Sequence, residues 1–187
     1  FLNNVLIPSA TSSTLTVPGF VPGNAGNYSA YFKGYLEDFN AGTIKEVPKM
    51  WGFQAEGSAP FVSGAPVKNP ETIATAIRIG NPASWQQAID ARDSSGGLID
   101  AVTDKEILAA YHLIASKEGI FVEPSSAAGL AGLIKYQKAG KLPKNKTIVI
   151  TVTGHGLKDI PWALEGAKKP VVVPVSVKAA AKALGLS

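Results

Sequence analysis

The chain has no cysteine, which excludes disulfides and thiolate metal sites. Imidazole is scarce as well: His112 and His155 are its two histidines, too few for a protein-held metal centre, and none is expected. No run of uncharged apolar residues is long enough to span a bilayer, and the opening residues do not read as a signal peptide, so a cytoplasmic protein without membrane contact is expected. What the chain does have is a length of 187 residues and a 45% hydrophobic content, which suit one domain with a real core.

The net charge of +4 is unevenly placed. Ten lysines face only Asp159 and Glu165 between Lys135 and Ser187. They are scattered among helix and loop signals, and no nucleic-acid reading motif accompanies them. A solvated basic face is therefore expected, and no nucleic-acid partner. Such a face also raises the local concentration of an anionic substrate modestly.

The most informative stretch is Val21-Pro22-Gly23-Asn24-Ala25-Gly26-Asn27. It follows an extended segment and precedes a helix expected over Tyr28–Asn40. Consecutive amides in such a turn form an anion-binding nest, and the helix N-terminus behind it adds partial positive charge. Glycine permits the close approach, and asparagine tolerates left-handed backbone. The natural ligand is a phosphate group, the alternative being an ordinary glycine-rich connection. A P-loop and a dinucleotide fingerprint are both unsupported, because neither G-x-x-x-x-G-K-[ST] nor G-x-G-x-x-G is present.

A second segment, Thr147–Asp159, opens with a β-branched run to Thr153 that reads as a buried parallel strand. Gly154-His155-Gly156 then turns the chain. Ligands of open α/β sheets lie at the carboxyl ends of strands, which places Thr153 where a cofactor would be. Its hydroxyl can pair with a ring nitrogen without adding charge, or merely cap the turn.

Between these segments helices and strands alternate. Tyr31, Phe32, Tyr35 and Phe39 form an aromatic stripe expected to be core. Val47–Gln54 reads as a strand, Asn69-Pro70-Glu71 as a helix start, Ala83–Arg92 as a helix and Leu98–Val102 as a strand. Thr103 and Glu106 make a capping box for a helix that Gly119 ends. Ile120–Val122 reads as a buried strand, followed by a helix stopping near Gly140. Val171–Val175 reads as an edge strand and Ser176–Leu184 as a small helix. The expected fold is a three-layer α/β domain with an open, mostly parallel sheet.

Gly23–Asn27, Phe53-Gln54-Ala55, the run Thr72–Trp85 (T-I-A-T-A-I-R-I-G-N-P-A-S-W), Gly119–Ala128 and Thr151–Asp159 together resemble threonine synthase. That family consists of pyridoxal-phosphate enzymes of the tryptophan-synthase-β type, fold type II. The resemblance runs in order from about Gly23 to the C-terminus. It implies conversion of O-phosphohomoserine and water to threonine and phosphate, with pyridoxal 5'-phosphate as electron sink. It also implies that the amides of Gly23, Asn24, Ala25, Gly26 and Asn27 hold the cofactor phosphate, and that Thr153 hydrogen-bonds the pyridine nitrogen. A threonine-dehydratase-like lyase and a non-catalytic phosphate-binding fragment are the alternatives.

The family's Schiff-base lysine lies in an S-F-K-D motif, and this sequence contains none. Lys33, in Tyr31-Phe32-Lys33-Gly34, echoes it only superficially. Residues 1–20 do not resemble the family segment leading into the phosphate loop. The expectation is therefore a C-terminal, cofactor-binding domain over residues 21–187, working with a missing N-terminal half or a second chain and homodimeric when complete. On the substrate side, Gln54, Thr75 and Arg78 are candidates, each with a structural alternative; for Arg78 it is an ion pair with a nearby acid. Glu123 either supports the ring or caps the next helix, and Ser125 and Ser126 are expected to cap it. His155 is expected to shape the turn, with proton transfer as the alternative. His112 is expected at the surface or as a satisfied core residue.

Overall fold

The computed structural model describes residues 14–18, 25–165 and 170–186. Four parallel strands form its sheet: β1 (Thr14–Pro18), β2 (Lys49–Ala55), β3 (Leu98–Val102) and β4 (Thr147–Thr151), in the order β3-β2-β1-β4. Within the extended segment expected before the glycine-rich turn, Thr14–Pro18 is an inner strand, paired along its length with β4 from Thr14↔Thr147 to Pro18↔Thr151.

The alternation of side chains along β2 separates the two faces. Trp51, Phe53 and Ala55 point into a core shared with α4 (Asp104–Glu118) and α5 (Pro124–Lys138). Met50 points the other way, towards Phe32 of α1 (Ala25–Asn40), Phe61 of α2 (Pro60–Ser63) and Ala88 and Ala91 of α3 (Trp85–Ser94). Helices on both faces of a parallel sheet make the expected three layers. Only part of the aromatic stripe reaches this core: Phe32 is buried and Tyr35 partly so, whereas Tyr31 and Phe39 are exposed.

Helix α4 shows how directly some local signals act. Thr103 Oγ1 accepts the Glu106 N–H at 3.2 Å, and Glu106 Oε2 accepts the Thr103 N–H at 2.8 Å, completing the capping box. Gly119 ends the helix in the left-handed conformation at φ 68°, where a side chain would be strained. Thr103→Ala removes one half of the box and is expected to cost about 1 kcal/mol in a urea titration. An unchanged midpoint would show that Glu106 holds the helix start alone.

Three expected elements do not form. Asn69-Pro70-Glu71 starts no helix; a 3₁₀ turn at Thr75–Ile77 stands there instead. Its backbone is drawn into long-range bonds: the Glu71 N–H goes to Gly57 O at 3.0 Å and the Ile73 N–H to Asp104 Oδ2 at 3.1 Å. Ile120–Val122 is no strand either. Helices α4 and α5 pack on one face as neighbours, so the short link between them has no strand position to fill. Only Val122 makes an antiparallel bridge, to His155, and Ile120 and Phe121 are exposed. Val171–Val175 is irregular, with Val172 and Val175 fully open to solvent, so β-branching there lacks a sheet to join. Two short helices, α6 (Ile160–Leu164) and α7 (Val177–Ala183), complete the described fold.

Candidate cofactor site

The site is built where β4 ends. The strand stops at Thr151, two residues earlier than its sequence pattern suggests, and Thr153 stands outside the sheet with an exposed side chain. The turn after it is locked to the segment before α5. The Glu123 N–H donates to Gly154 O at 2.9 Å, and the Gly156 N–H to Phe121 O at 3.2 Å. Ser126, fully buried in the first turn of α5, accepts the Gly154 N–H at 2.8 Å and the Thr153 N–H at 3.2 Å. Ser126 therefore fixes another loop rather than capping its own helix, and Ser125 Oγ, buried, finds no partner among the described residues. Helix α5 starts without any side-chain cap bond, which removes capping as the role of the Glu123 carboxyl.

Glu123 is instead a buried acid with no hydrogen bond to its carboxyl among the described residues. A methyl group on Gly154 would lie 1.9 Å from its Oε1, so the carboxyl rests directly on the glycine backbone. Burial pushes its pKa up; the Lys158 ammonium opposes this and the Asp159 carboxylate reinforces it. A carboxyl that holds its proton more tightly folded than unfolded favours the fold at low pH. That contribution is complete below the unfolded value and fades as pH rises through the folded one. Glu123→Gln should therefore flatten the decline of stability above about pH 4.3, the ordinary value for glutamate. Thermal melts of the two proteins across pH 4–8 check this, and parallel curves would contradict it.

Asp159 joins two segments far apart in sequence: its Oδ2 accepts the Thr75 hydroxyl at 2.9 Å. Thr75 thus comes to the β4 turn, with its remaining surface exposed. Arg78 faces Glu71 at 3.8 Å across exposed surface, which is the ion-pair alternative. Gln54 is wholly buried: its Oε1 accepts the Phe61 N–H at 3.0 Å and supports the start of α2, while its Nε2 has no partner among the described residues. His155 accepts the Leu157 N–H on Nδ1 at 3.2 Å, so it shapes the turn as expected, and its ring lies edge-on to Phe121. His112 is exposed beside the Tyr111 ring. Lys33 pairs with Glu37 at 3.9 Å on the solvent side of α1.

Gly23 and Asn24 lie outside the described residues. Ala25, Gly26 and Asn27 form the first turn of α1, which begins three residues before the expected Tyr28. That turn carries no acidic residue, so nothing there opposes an anion at its free N–H groups. An exposed threonine just past a strand and an acid-free helix N-terminus are, each by itself, donors of the kind that a ring nitrogen and a phosphate take. A separate cleft of about 570 Å³ lies by the β3 edge, among Glu56, Val67, Asp100, Glu106 and Lys135. Its lysine is committed to Asp100 Oδ2 at 3.1 Å and Ala101 O at 2.6 Å. Sequence reasoning missed Ser126 as a member of the site, and nothing in the Ser-Ser pair distinguishes it from a cap.

Comparison with known proteins bears on the same residues. A family model described as pyridoxal-phosphate dependent enzyme matches residues 20–154. Threonine synthase from Mycobacterium leprae is 54% identical over 88% of this chain, and that from Methanocaldococcus jannaschii 50% identical over 81%. The matches cover 46% and 39% of those proteins, so the chain spans somewhat under half their length. Among solved structures, O-ureido-L-serine synthase superposes with a TM-score of 0.60 at 14% identity, over 88% of this chain and 46% of that one. A processed threonine deaminase from Solanum lycopersicum superposes with a TM-score of 0.60 at 19% identity, over 82% and 44%. At such identities the superpositions show the fold alone.

Proposed function

Because this chain belongs to the pyridoxal-phosphate dependent enzyme family, we propose that it is the cofactor-binding portion of a threonine synthase, a lyase converting O-phosphohomoserine and water to threonine and phosphate. The observation that carries this reading is exposed Thr153, two residues past the end of β4, within a chain about half identical to threonine synthases over most of its length. The superposed threonine deaminase has the same fold at low identity and does not favour a dehydratase.

In this reading the first turn of α1, with Ala25, Gly26 and Asn27, and the preceding Gly23 and Asn24 hold the cofactor phosphate by backbone N–H groups. Thr153 orients the ring through its nitrogen. When bound, the cofactor supplies the electron sink for carbanions next to it. A hydroxyl rather than a carboxylate at the nitrogen moderates that sink, because it brings no charge to hold a ring proton. Asp159 positions Thr75 towards the substrate, while Gln54 acts from within by holding α2 rather than by touching substrate. Arg78 reaches a substrate phosphate only by releasing Glu71, an exposed pairing of about 0–1 kcal/mol. The site partner is a small anionic molecule. Among the described residues no helix is long and apolar enough to cross a membrane, and the reading places the reaction in the cytoplasm. Residues 21–187 act as the cofactor domain, the Schiff-base lysine is supplied by the missing half or a second chain, and the complete enzyme is a homodimer.

Borohydride reduction of the purified sample with pyridoxal phosphate, followed by intact mass and peptide mapping, tests this. A pyridoxyl label on one lysine of a copurifying chain is the expected result. Stoichiometric labelling of a single lysine here, such as Lys33, would move the catalytic residue into this chain. An absence of site-specific label would leave a phosphate-binding fragment.

A further inference from the structure

The geometry points to Asp104 as a positioning residue: from α4 it holds residues 71–78 and so sets the Thr75 hydroxyl against the β4 turn. The inference rests on Thr75 facing the substrate, and it adds the group that keeps it there.

Little in this segment fixes its own shape. Its regular structure is the three-residue 3₁₀ turn Thr75–Ile77, too short to hold itself. Its other bonds run to distant elements. The Glu71 N–H reaches Gly57 O at 3.0 Å, and Ile77 O accepts the Ser58 hydroxyl at 3.1 Å, both in the loop after β2. Thr75 is exposed and donates to Asp159 Oδ2 at 2.9 Å.

Asp104 holds the part in between. In the first turn of α4, its Oδ1 accepts the Thr72 hydroxyl and its Oδ2 the Ile73 N–H at 3.1 Å. The Thr72 oxygen in turn accepts the Ala74 N–H at 3.1 Å. One side chain thus directs Thr72, Ile73 and Ala74, of which the first and last are buried. Two bonds to one carboxyl fix direction as well as distance. Thr75 is the next residue along.

The same helix reaches the other side of the Thr75–Asp159 contact. Tyr111 stands about two turns after Asp104 on the same face of α4. Its hydroxyl donates to Trp162 O at 3.4 Å, in the short helix α6 that follows Asp159. Ile107, Ala110, Tyr111 and Ile114 seat α4 in the core. Both partners of the contact are therefore placed from one helix, and releasing Asp104 frees the Thr75 side alone.

Two measurements on the sample carrying its full complement of chains test this. The first is amide hydrogen exchange followed by NMR. Asp104→Ala should speed exchange about tenfold or more at Thr75 and Ile77. The carbonyls that those N–H groups bond, of Ile73 and Ala74, are untouched by the substitution. Exchange in β2 and β3 should stay as it was. Where Asp104→Ala does not fold, Thr72→Val serves, since it keeps the Ile73 bond. The second is the initial rate with O-phosphohomoserine. Asp104→Ala should lower kcat/KM about tenfold or more, and Asp104→Asn, which keeps one acceptor, by less. The double variant Asp104→Ala/Thr75→Val should fall no further than Thr75→Val, because Asp104 acts through Thr75. Losses that multiply, or unchanged exchange at Thr75 and Ile77, would overturn the inference. If the parent protein forms no threonine, the proposed function fails, while faster exchange confined to this segment upholds Asp104 as its anchor.

Discussion

Gly154→Ala is expected to unsettle the β4 turn and, with it, cofactor binding. Gly154 is not among the residues with positive φ, so its backbone tolerates alanine and the cost is steric. The new methyl would meet Glu123 at 1.9 Å from Oε1, 2.0 Å from Cδ and 2.6 Å from Cγ. Either the Glu123 carboxyl leaves its buried place or the turn moves, and the turn carries both N–H groups that Ser126 holds. Overpacking of this kind costs about 1–3 kcal/mol. We expect a loss within that range, about 1–2 kcal/mol, because the methyl meets the end of the Glu123 side chain, which is buried but holds no hydrogen bond through its carboxyl among the described residues. Affinity for pyridoxal phosphate should fall about tenfold or more, since Thr153 moves with the turn. The companion experiment is Glu123→Ala/Gly154→Ala, which empties the space the methyl needs. Its stability should exceed the sum of the single effects by about 1–2 kcal/mol, as measured by urea unfolding of all four proteins. Additive losses would mean that the two residues do not share the space.

The second large effect is expected at Gly132, in the middle of α5. An added Cβ there would lie 2.2 Å from Phe53 Cγ and 2.3 Å from both Cδ atoms. In an open helix, glycine to alanine gains about 1 kcal/mol of helix propensity. Here the opposite sign wins. Phe53 is fully buried and boxed in by Trp51, 6.4 Å away edge-on, and Tyr136, at 5.7 Å, so the ring has nowhere to swing. Gly132→Ala should lower stability by about 2 kcal/mol net, once propensity is set against overpacking. It should also loosen the site from a distance, because Glu123 and Ser126 stand at the start of the same helix. Thermal melting of Gly132→Ala alone and together with Phe53→Leu checks the mechanism: the smaller ring position should recover part of the loss. A Gly132→Ala protein more stable than the original would show that helix propensity outweighs contact at this point.

Both effects concern small residues whose role is to let something else come close, and that is a property a sequence does not display. Gly154 is readable as a turn and Gly132 as a weak helix position; neither letter reveals Glu123 or Phe53 against it. The same division runs through the other elements. The capping box at Thr103 and Glu106 and the stop at Gly119 involve partners within a few residues, and the structure has them where the pattern put them, as it has the strand Leu98–Val102. The helix expected after Asn69 failed because Asp104 and Gly57 supplied competing partners for its backbone.

At the site, the sequence by itself determined the family, the alternating α/β order and the position of Thr153 beside a strand end. The family rests on a resemblance of whole motifs, whereas the other two follow from short-range chemistry: β-branched runs, glycine turns and caps act on near neighbours. Tertiary structure alone decided that Arg78 faces Glu71, that Gln54 is sealed beneath α2, that Asp159 gathers Thr75, and that Ser126 serves Thr153 instead of its own helix. Each of these depends on which groups the folded sheet brings within hydrogen-bonding distance. A serine 27 residues away competes with a local cap only once the strand and helix have packed.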